Sequence, residues 1–235
     1  MRQVVLDTET TGLEVTQGHR IVEVAAVEMI DRRLSGRHFH QYVDPQRAVD
    51  EGALRVHGLD EAFLADKPVF GDIAAELADF LCGAQLIIHN APFDTAFLFA
   101  EFERVGFPRS RLTDAGGALA DVLDTLPMAR ELHPGKRNSL DALCERYGVD
   151  NSGRSLHGAL LDAELLAEVY LAMTRGQESL MALLAAEEAA GLAAGDSGLA
   201  ALDLVVVRAS DAELAAHDAL LAGMAGKQPA LWAQP

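Results

Sequence analysis

The 235 residues carry 19 basic and 36 acidic side chains, a net charge of −17, and half of the residues are apolar. That suits one domain with a substantial core plus a further segment, and it excludes a protein that coats nucleic acid by neutralising its phosphates. There is no 18-residue apolar run and no secretory leader pattern, so a soluble, cytoplasmic protein is expected, with Cys82 and Cys144 as reduced, buried thiols rather than a disulfide or a zinc site.

Val4-Val5-Leu6 reads as a strand buried on both faces, and it runs directly into Asp7-Thr8-Glu9-Thr10-Thr11-Gly12. A polar loop reaches His19. Residues 20–30 are rich in β-branched side chains and read as a second strand, and 34–43 as a third. The turn between them is at 31–33, so the three form an antiparallel meander. A short helix is expected around Gly52–Val56. An amphipathic helix is expected over 71–82, with Ile73, Leu77, Phe80 and Leu81 at helical spacing. Gln85-Leu86-Ile87-Ile88 reads as a short fourth strand. It ends at His89-Asn90-Ala91-Pro92-Phe93-Asp94, where Asn90 suits a helix cap and Pro92 a first turn. The next helix turns Phe93, Phe97 and Leu98 towards the core and holds Asp94 in its first turn.

Residues 108–121 look loose. Helices are expected at 119–131 and 138–147, interrupted by His133-Pro134-Gly135-Lys136-Arg137, and a long helix ends near 174. Strands first, then helices with an added strand, argue for a mixed sheet covered by helices. Beyond Gly176 the texture changes. Residues 185–201 are mainly Ala, Gly and Glu and read as a partly helical linker. Residues 202–208 are strand-like, 209–221 are helical, and the single tryptophan, Trp232, lies near the end. This last stretch is too small to fold alone and too apolar for a solvated coil. It reads as a segment that orders on a partner.

Four acids and one histidine carry the chemistry. Asp7 and Glu9 are two residues apart on a strand, so they share a face and repel unless a cation lies between them. A hard divalent ion with oxygen ligands is the natural partner. Asp94 sits in a first helical turn, where the helix dipole alone would favour an acid. Asp162, within Ala159-Leu160-Leu161-Asp162-Ala163-Glu164-Leu165-Leu166, is expected to face inward and need a partner, while Glu164 and Glu168 read as solvated. His157 alone reads as a helix-cap or surface residue. It precedes Asp162 by five residues, about 140° around a helix, so the two share a site only if His157 lies on the frayed start or the preceding loop. Together the five residues fit two-metal phosphodiester hydrolysis, in which carboxylates hold the ions and a histidine takes the proton of the attacking water.

Three stretches, Leu6–Gly12, His89–Asp94 and His157–Asp162, resemble the three motifs of the DEDD exonuclease superfamily, histidine branch. Further stretches (Gly18–Ile21, Val56–Gly58, Gly135–Cys144 and Leu156–Met173) resemble the epsilon-subunit family of bacterial DNA polymerase III, the replicative proofreaders. The resemblance spans nearly all of 1–175. It implies an α/β, RNase H-like fold, a mixed five-stranded sheet flanked by helices, and 3′→5′ hydrolysis releasing nucleoside monophosphates. It implies two divalent metal ions, Mg2+ or Mn2+. Asp7, Glu9 and Asp162 match the ligands of the catalytic ion, Asp7 bridges to the second, Asp94 matches the acid that holds the second, and His157 matches the general base. Thr10, Thr11 and His57 lie where the family contacts the terminal nucleotide, beside Asp7, Glu9 and Asp162. The family's acidic residue a few positions before that histidine falls by direct count on Gly52, with Glu51 beside it.

The resemblance divides the chain into an exonuclease domain, 1–175, a linker, 176–201, and a polymerase-docking segment, 202–235. It implies DNA 3′ ends as substrate and the polymerase III alpha subunit as the partner of 202–235. Gln177-Glu178-Ser179-Leu180-Met181-Ala182 is similar to a sliding-clamp peptide of the Q-x-S-L type, which makes 177–182 a candidate clamp contact. Some bacteria add a small theta-type subunit, and the resemblance admits that partner too. A tether raises the local concentration of the nuclease at the primer end, which accounts for how so acidic a chain could act on DNA. Two rival readings remain: an RNA exonuclease of the same branch, with the same core motifs, and a non-catalytic module that stabilises the polymerase.

Overall fold

The first strand, β1 (Arg2–Thr10), is the middle of a five-stranded sheet. Val4, Val5 and Leu6 have no exposed surface, because helices cover both faces of the strand. β2 (Ile21–Ile30) pairs with β1 antiparallel, and β3 (Arg33–Tyr42) pairs antiparallel with β2. The link between β2 and β3 is tight, with Asp31 and Arg32 at φ 48° and 62°, the left-handed pair that suits the twist of a hairpin. On the other side of β1, β4 (Gln85–Ile88) runs parallel to it, and β5 (Val122–Asp124) runs parallel to β4. The order is β3-β2-β1-β4-β5, the mixed sheet expected.

The computed structural model describes residues 1–108, 121–153, 156–175 and 209–224. The chain divides into two units, Met1–Leu180 and Met181–Pro235. In the first, α1 (Glu51–His57) and α2 (Glu61–Leu64) are short. α3 (Phe70–Leu81) and α4 (Ala91–Arg104) cover one face of the sheet, packing Leu77, Phe97 and Phe102 against Val4, Leu6 and Val24. α7 (Ala159–Met173) covers the other, packing Ala163, Leu166 and Tyr170 against Val5, Val27 and Ile87. α5 (Thr125–Leu132) and α6 (Leu140–Tyr147) pack against the outer side of α7 through Ala129, Leu143 and Cys144. Each fully buried Leu, Val or Phe contributes about 1.5–3 kcal/mol relative to exposure.

Arg20 ties the two halves of the first layer together. Its guanidinium donates to both carboxylate oxygens of Glu101 on α4, at 2.5 and 2.7 Å, and Glu101 is almost fully buried. Glu101 also accepts from the Ile21 amide at 3.3 Å. This fork fixes α4 against the start of β2.

Two expectations are corrected, at 121–124 and at Cys82, and Asn90 is the expected cap with an unexpected backbone. Residues 121–124 are a turn and β5, not the start of a helix; α5 begins at Thr125, where the Asp124 side chain accepts from the Leu126 amide at 2.9 Å. Asn90 caps α4 through its left-handed backbone, φ 68°, and makes no side-chain cap bond. Cys82 ends α3 at the surface and is exposed, whereas Cys144 is buried as expected. In the second unit the described element is α8 (Asp211–Met224), within the expected helical stretch. Ser210 and Glu213 cap it reciprocally: the Ser210 amide donates to Glu213 Oε2 at 2.8 Å and the Glu213 amide to Ser210 Oγ at 3.4 Å. The expected loose segment (but for residues 108 and 121), the linker, the 177–182 peptide, the 202–208 strand and Trp232 lie outside the described residues. Among the described residues no helix is long and apolar enough to cross a membrane.

Candidate active site

The alternation of β1 builds the site. Val5 faces α7, and two steps on, Asp7 and Glu9 continue that face past the end of the apolar packing. Thr8 has the opposite parity, with Val4 and Leu6, and faces α4. Its hydroxyl donates to Asp94 Oδ1 at 2.7 Å. Asp94 lies in the first turn of α4 and is almost fully buried. Burial pushes its carboxyl up to about 7, against the lowering effect of the Thr8 hydrogen bond. Asp162 occupies the first turn of α7, 3% exposed, its amide donating to Gly158 O at 2.9 Å.

His157 lies one residue before the N-cap Gly158, so it is off the helix, as the five-residue spacing demanded. Its amide donates to Val56 O at 3.1 Å, which anchors this loop to α1. Its side chain is 46% exposed, and Nδ1 stands 3.3 Å from Asp162 Oδ2. One ligand atom each from Glu9, His157 and Asp162 falls within 4.8 Å of the others. Asp7 and Asp94 line the same cleft, about 260 Å³ in volume, outside that tight group. The cleft therefore gathers all five residues singled out by sequence.

A second depression, about 380 Å³, opens off the cleft and shares Thr8, Glu9 and Phe93 with it. Thr10, Gly52 and His57 line it. His57 is buried; its Nδ1 accepts from the Leu59 amide at 3.0 Å, and a backbone hydrogen bond with Thr10 acts on the ring against the effect of burial. Burial lowers the imidazole below its ordinary value, which keeps it neutral near pH 7. Thr11 does not line this depression. Its side chain is fully buried, its hydroxyl 3.0 Å from His19 Nδ1 and accepting from the Arg20 amide at 3.0 Å. The His19 ring packs so close that a Cβ on Gly12 would lie 2.3 Å from it. Glu51 points away and pairs with Arg55 at 3.7 Å. Besides Glu9, the acid that lines the depression is Asp50, the N-cap residue of α1, which the sequence reading missed. Phe93, expected in the core, is half-buried at the wall between cleft and depression.

The donor set suits a hard divalent ion: carboxylate oxygens converge from β1, α4 and α7, and a buried carboxyl held near neutrality is one that a cation would ionise. Such a site, on a mixed sheet with helices on both faces, fits metal-dependent hydrolysis of phosphodiesters. The exonuclease family profile (RNase_T) matches residues 4–170, and the chain belongs to that family, whose members use divalent metal ions. Within it, the chain falls among the epsilon subunits of DNA polymerase III. It is 49% identical to that subunit of Salmonella typhimurium over 229 residues, 94% of this chain and 92% of the relative. It is 56% identical to that of Pasteurella multocida over 183 residues, 76% and 70% of the two chains. Among solved structures it is similar to exonuclease X in complex with 5′ overhanging duplex DNA, with a TM-score of 0.55, 27% identity, and coverage of 74% of this chain and 92% of that one. It shares the fold of the zinc-bound Escherichia coli exonuclease I–single-stranded DNA complex, with a TM-score of 0.65, 18% identity, and coverage of 78% and 42%. The protein is thus a DNA exonuclease of the proofreading class.

Proposed function

We propose that the chain removes mispaired 3′-terminal nucleotides from DNA by hydrolysing the last phosphodiester bond in the 3′→5′ direction. The observation that carries this is the convergence of Asp7, Glu9, Asp94, His157 and Asp162 in one cleft beside a depression of nucleotide size. Asp7, Glu9 and Asp162 would hold one divalent ion, Mg2+ or Mn2+, and Asp94 would hold a second together with Asp7. Ions bound there supply charge stabilisation for the attacking and leaving oxygens. His157 takes the proton from the attacking water; its exposure lets it pass that proton to solvent. The terminal nucleoside sits in the depression lined by Thr10, Gly52 and His57. Thr11 and His19 brace the turn from beneath.

The domain boundaries follow the same reading, with catalysis in 1–175, a linker in 176–201 and docking on the polymerase alpha subunit through 202–235. The likeness to the Salmonella subunit, over 94% of this chain, runs into the tail. α8 exposes Leu214 and Leu220, two apolar side chains suited to a partner's groove. The segment 177–182 would contact the sliding clamp, and a small theta-type subunit would complete the assembly. The test is hydrolysis of a 3′-labelled primer, paired or mismatched at its end, with Mg2+, Mn2+ or EDTA, beside an RNA of equal length. Metal-dependent release of mononucleotides from DNA, faster at the mismatch, is expected. Preferential digestion of RNA, or full activity of Asp7→Ala or Asp162→Ala, refutes the reading.

A further inference from the structure

On the side of the cleft away from the nucleoside depression lies a third, wider hollow of about 640 Å³, which shares His89, Asn90 and Ser139 with the cleft. Its character is different. Arg130, in the last turn of α5, and Lys136, in the turn between α5 and α6, line it. Neither makes an ion pair among the described residues. In a chain of net charge −17, two such cations facing one hollow need a reason. The ordinary reading for Arg130 is a helix C-terminus that favours a cation. That reading does not cover Lys136, nor the way its turn is held. Asn138 Nδ2 donates to Lys136 O at 3.1 Å, Arg146 Nη1 donates to Asn138 Oδ1 at 3.1 Å, and Arg146 Nη2 donates to Arg137 O at 2.7 Å. Asn138 is buried. The lysine is thus carried on a turn pinned to α6, and its charge is presented from a fixed base.

The three hollows form one continuous track. The depression by His57 takes a nucleoside, the carboxylate cleft takes the bond to be cut, and the hollow by Arg130 and Lys136 comes next on the far side. The two outer hollows each share lining residues with the cleft and none with each other, so the cleft lies between them and this hollow is open to the phosphates that follow the scissile bond. We propose that Arg130 and Lys136 form a binding shelf for the phosphodiester backbone of the DNA strand on the 5′ side of the scissile bond. The shelf rests on the exonuclease reading above and deepens it. Its role is to hold the strand in register against the repulsion of the carboxylates, without reading bases.

The test compares Arg130→Ala, Lys136→Ala and the double variant in the full chain on two substrates. One is a single-stranded oligonucleotide. The other is the p-nitrophenyl ester of thymidine 5′-monophosphate, which offers a terminal nucleoside and a cleavable phosphate but no further phosphate. On the oligonucleotide, the double variant should raise KM about tenfold with kcat within twofold, and the slope of log(kcat/KM) against log salt should become shallower by about 0.7 for each cation removed. Lys136→Arg should restore the KM of Lys136→Ala. Hydrolysis of the nitrophenyl ester should be unchanged. Equal losses on both substrates, or no change in KM and salt slope, overturn the shelf while leaving the exonuclease reading intact. Failure of the unaltered protein to cut either substrate with Mg2+ or Mn2+ overturns both.

Discussion

In the proposed role Asp94 stands where function and stability conflict, and replacing it with asparagine separates the two. Burial lifts its carboxyl from 3.8 to about 7. Each pH unit of that difference is about 1.36 kcal/mol, so the ionised group costs the metal-free fold up to about 4 kcal/mol. Water penetration reduces such a cost, and about 2 kcal/mol is the working expectation. The sign follows from linkage. Well below pH 3.8 the carboxyl is protonated folded or unfolded and the native aspartate costs nothing, and at pH 4 it costs only a small part of the full amount. Between pH 4 and 7 the unfolded chain ionises while the folded one keeps its proton, so stability falls as pH rises. Above pH 7 the loss is complete. Asparagine keeps an acceptor for the Thr8 hydroxyl and carries no charge. Asp94→Asn should therefore melt about 4–8 °C above the native protein at pH 8 in EDTA, and at nearly the same temperature at pH 4. With millimolar Mn2+ the order should reverse, since the native protein gains the binding free energy and the variant loses it. Differential scanning calorimetry at the two pH values, with EDTA and with Mn2+, decides the matter. A variant less stable than the native protein at pH 8 in EDTA, or one equally favoured at pH 4, would refute the reasoning.

Other substitutions test the supports of the site. Gly58 ends α1 at φ 74°, and a Cβ there would lie 2.6 Å from Leu156 Cδ1. Gly58→Ala should cost about 1 kcal/mol in backbone strain. By pushing Leu156 aside it should also disturb the adjacent His157, lowering kcat about tenfold; a drop in melting temperature with kcat unchanged would show that the two are not coupled. Arg20→Ala removes the fork on the buried Glu101 carboxylate, leaving it Arg104 at 3.4 Å and the Ile21 amide, and should destabilise the fold by about 1–3 kcal/mol, measured by urea unfolding. A chain ending at Arg175 should keep hydrolysis and stop co-eluting with the polymerase alpha subunit; undiminished co-elution would refute the assignment of the tail.

Much of this site was legible in the order of the residues. The run from Val4 to Leu6 ends in two acids of one parity, and Asp162 interrupts an apolar helix face; both patterns are local, so sequence carries them. The loop position of His157 came from counting residues around a helix. β5 was not legible, because a three-residue strand owes its existence to the edge of β4, and Val122 and Leu123 also fit the helical spacing of α5. Asn90 was legible as a cap and not as a left-handed residue, since both uses favour asparagine. Asp50 was missed because counting back from His57 found Gly52; its place as the N-cap of α1 is what turns Asp50 to the depression. The hollow by Arg130 and Lys136 joins α5 to the turn after it, and nothing in their spacing declares that they meet.

The place of β1 has a consequence for how the enzyme comes into being. Asp7 and Glu9 follow directly on Gln3–Val5, the part of β1 that is paired on both sides, in the centre of the sheet. Amide hydrogens of that doubly paired part exchange with solvent only when the whole sheet opens. Ion binding at Asp7 and Glu9 should therefore slow exchange over Gln3–Val5 by the same factor as it slows global unfolding. A nascent chain acquires a competent cleft only after β4, α4 and α7 have been synthesised and packed around that strand. A partly folded copy, released early or damaged by heat, holds no assembled site with which to shorten a primer.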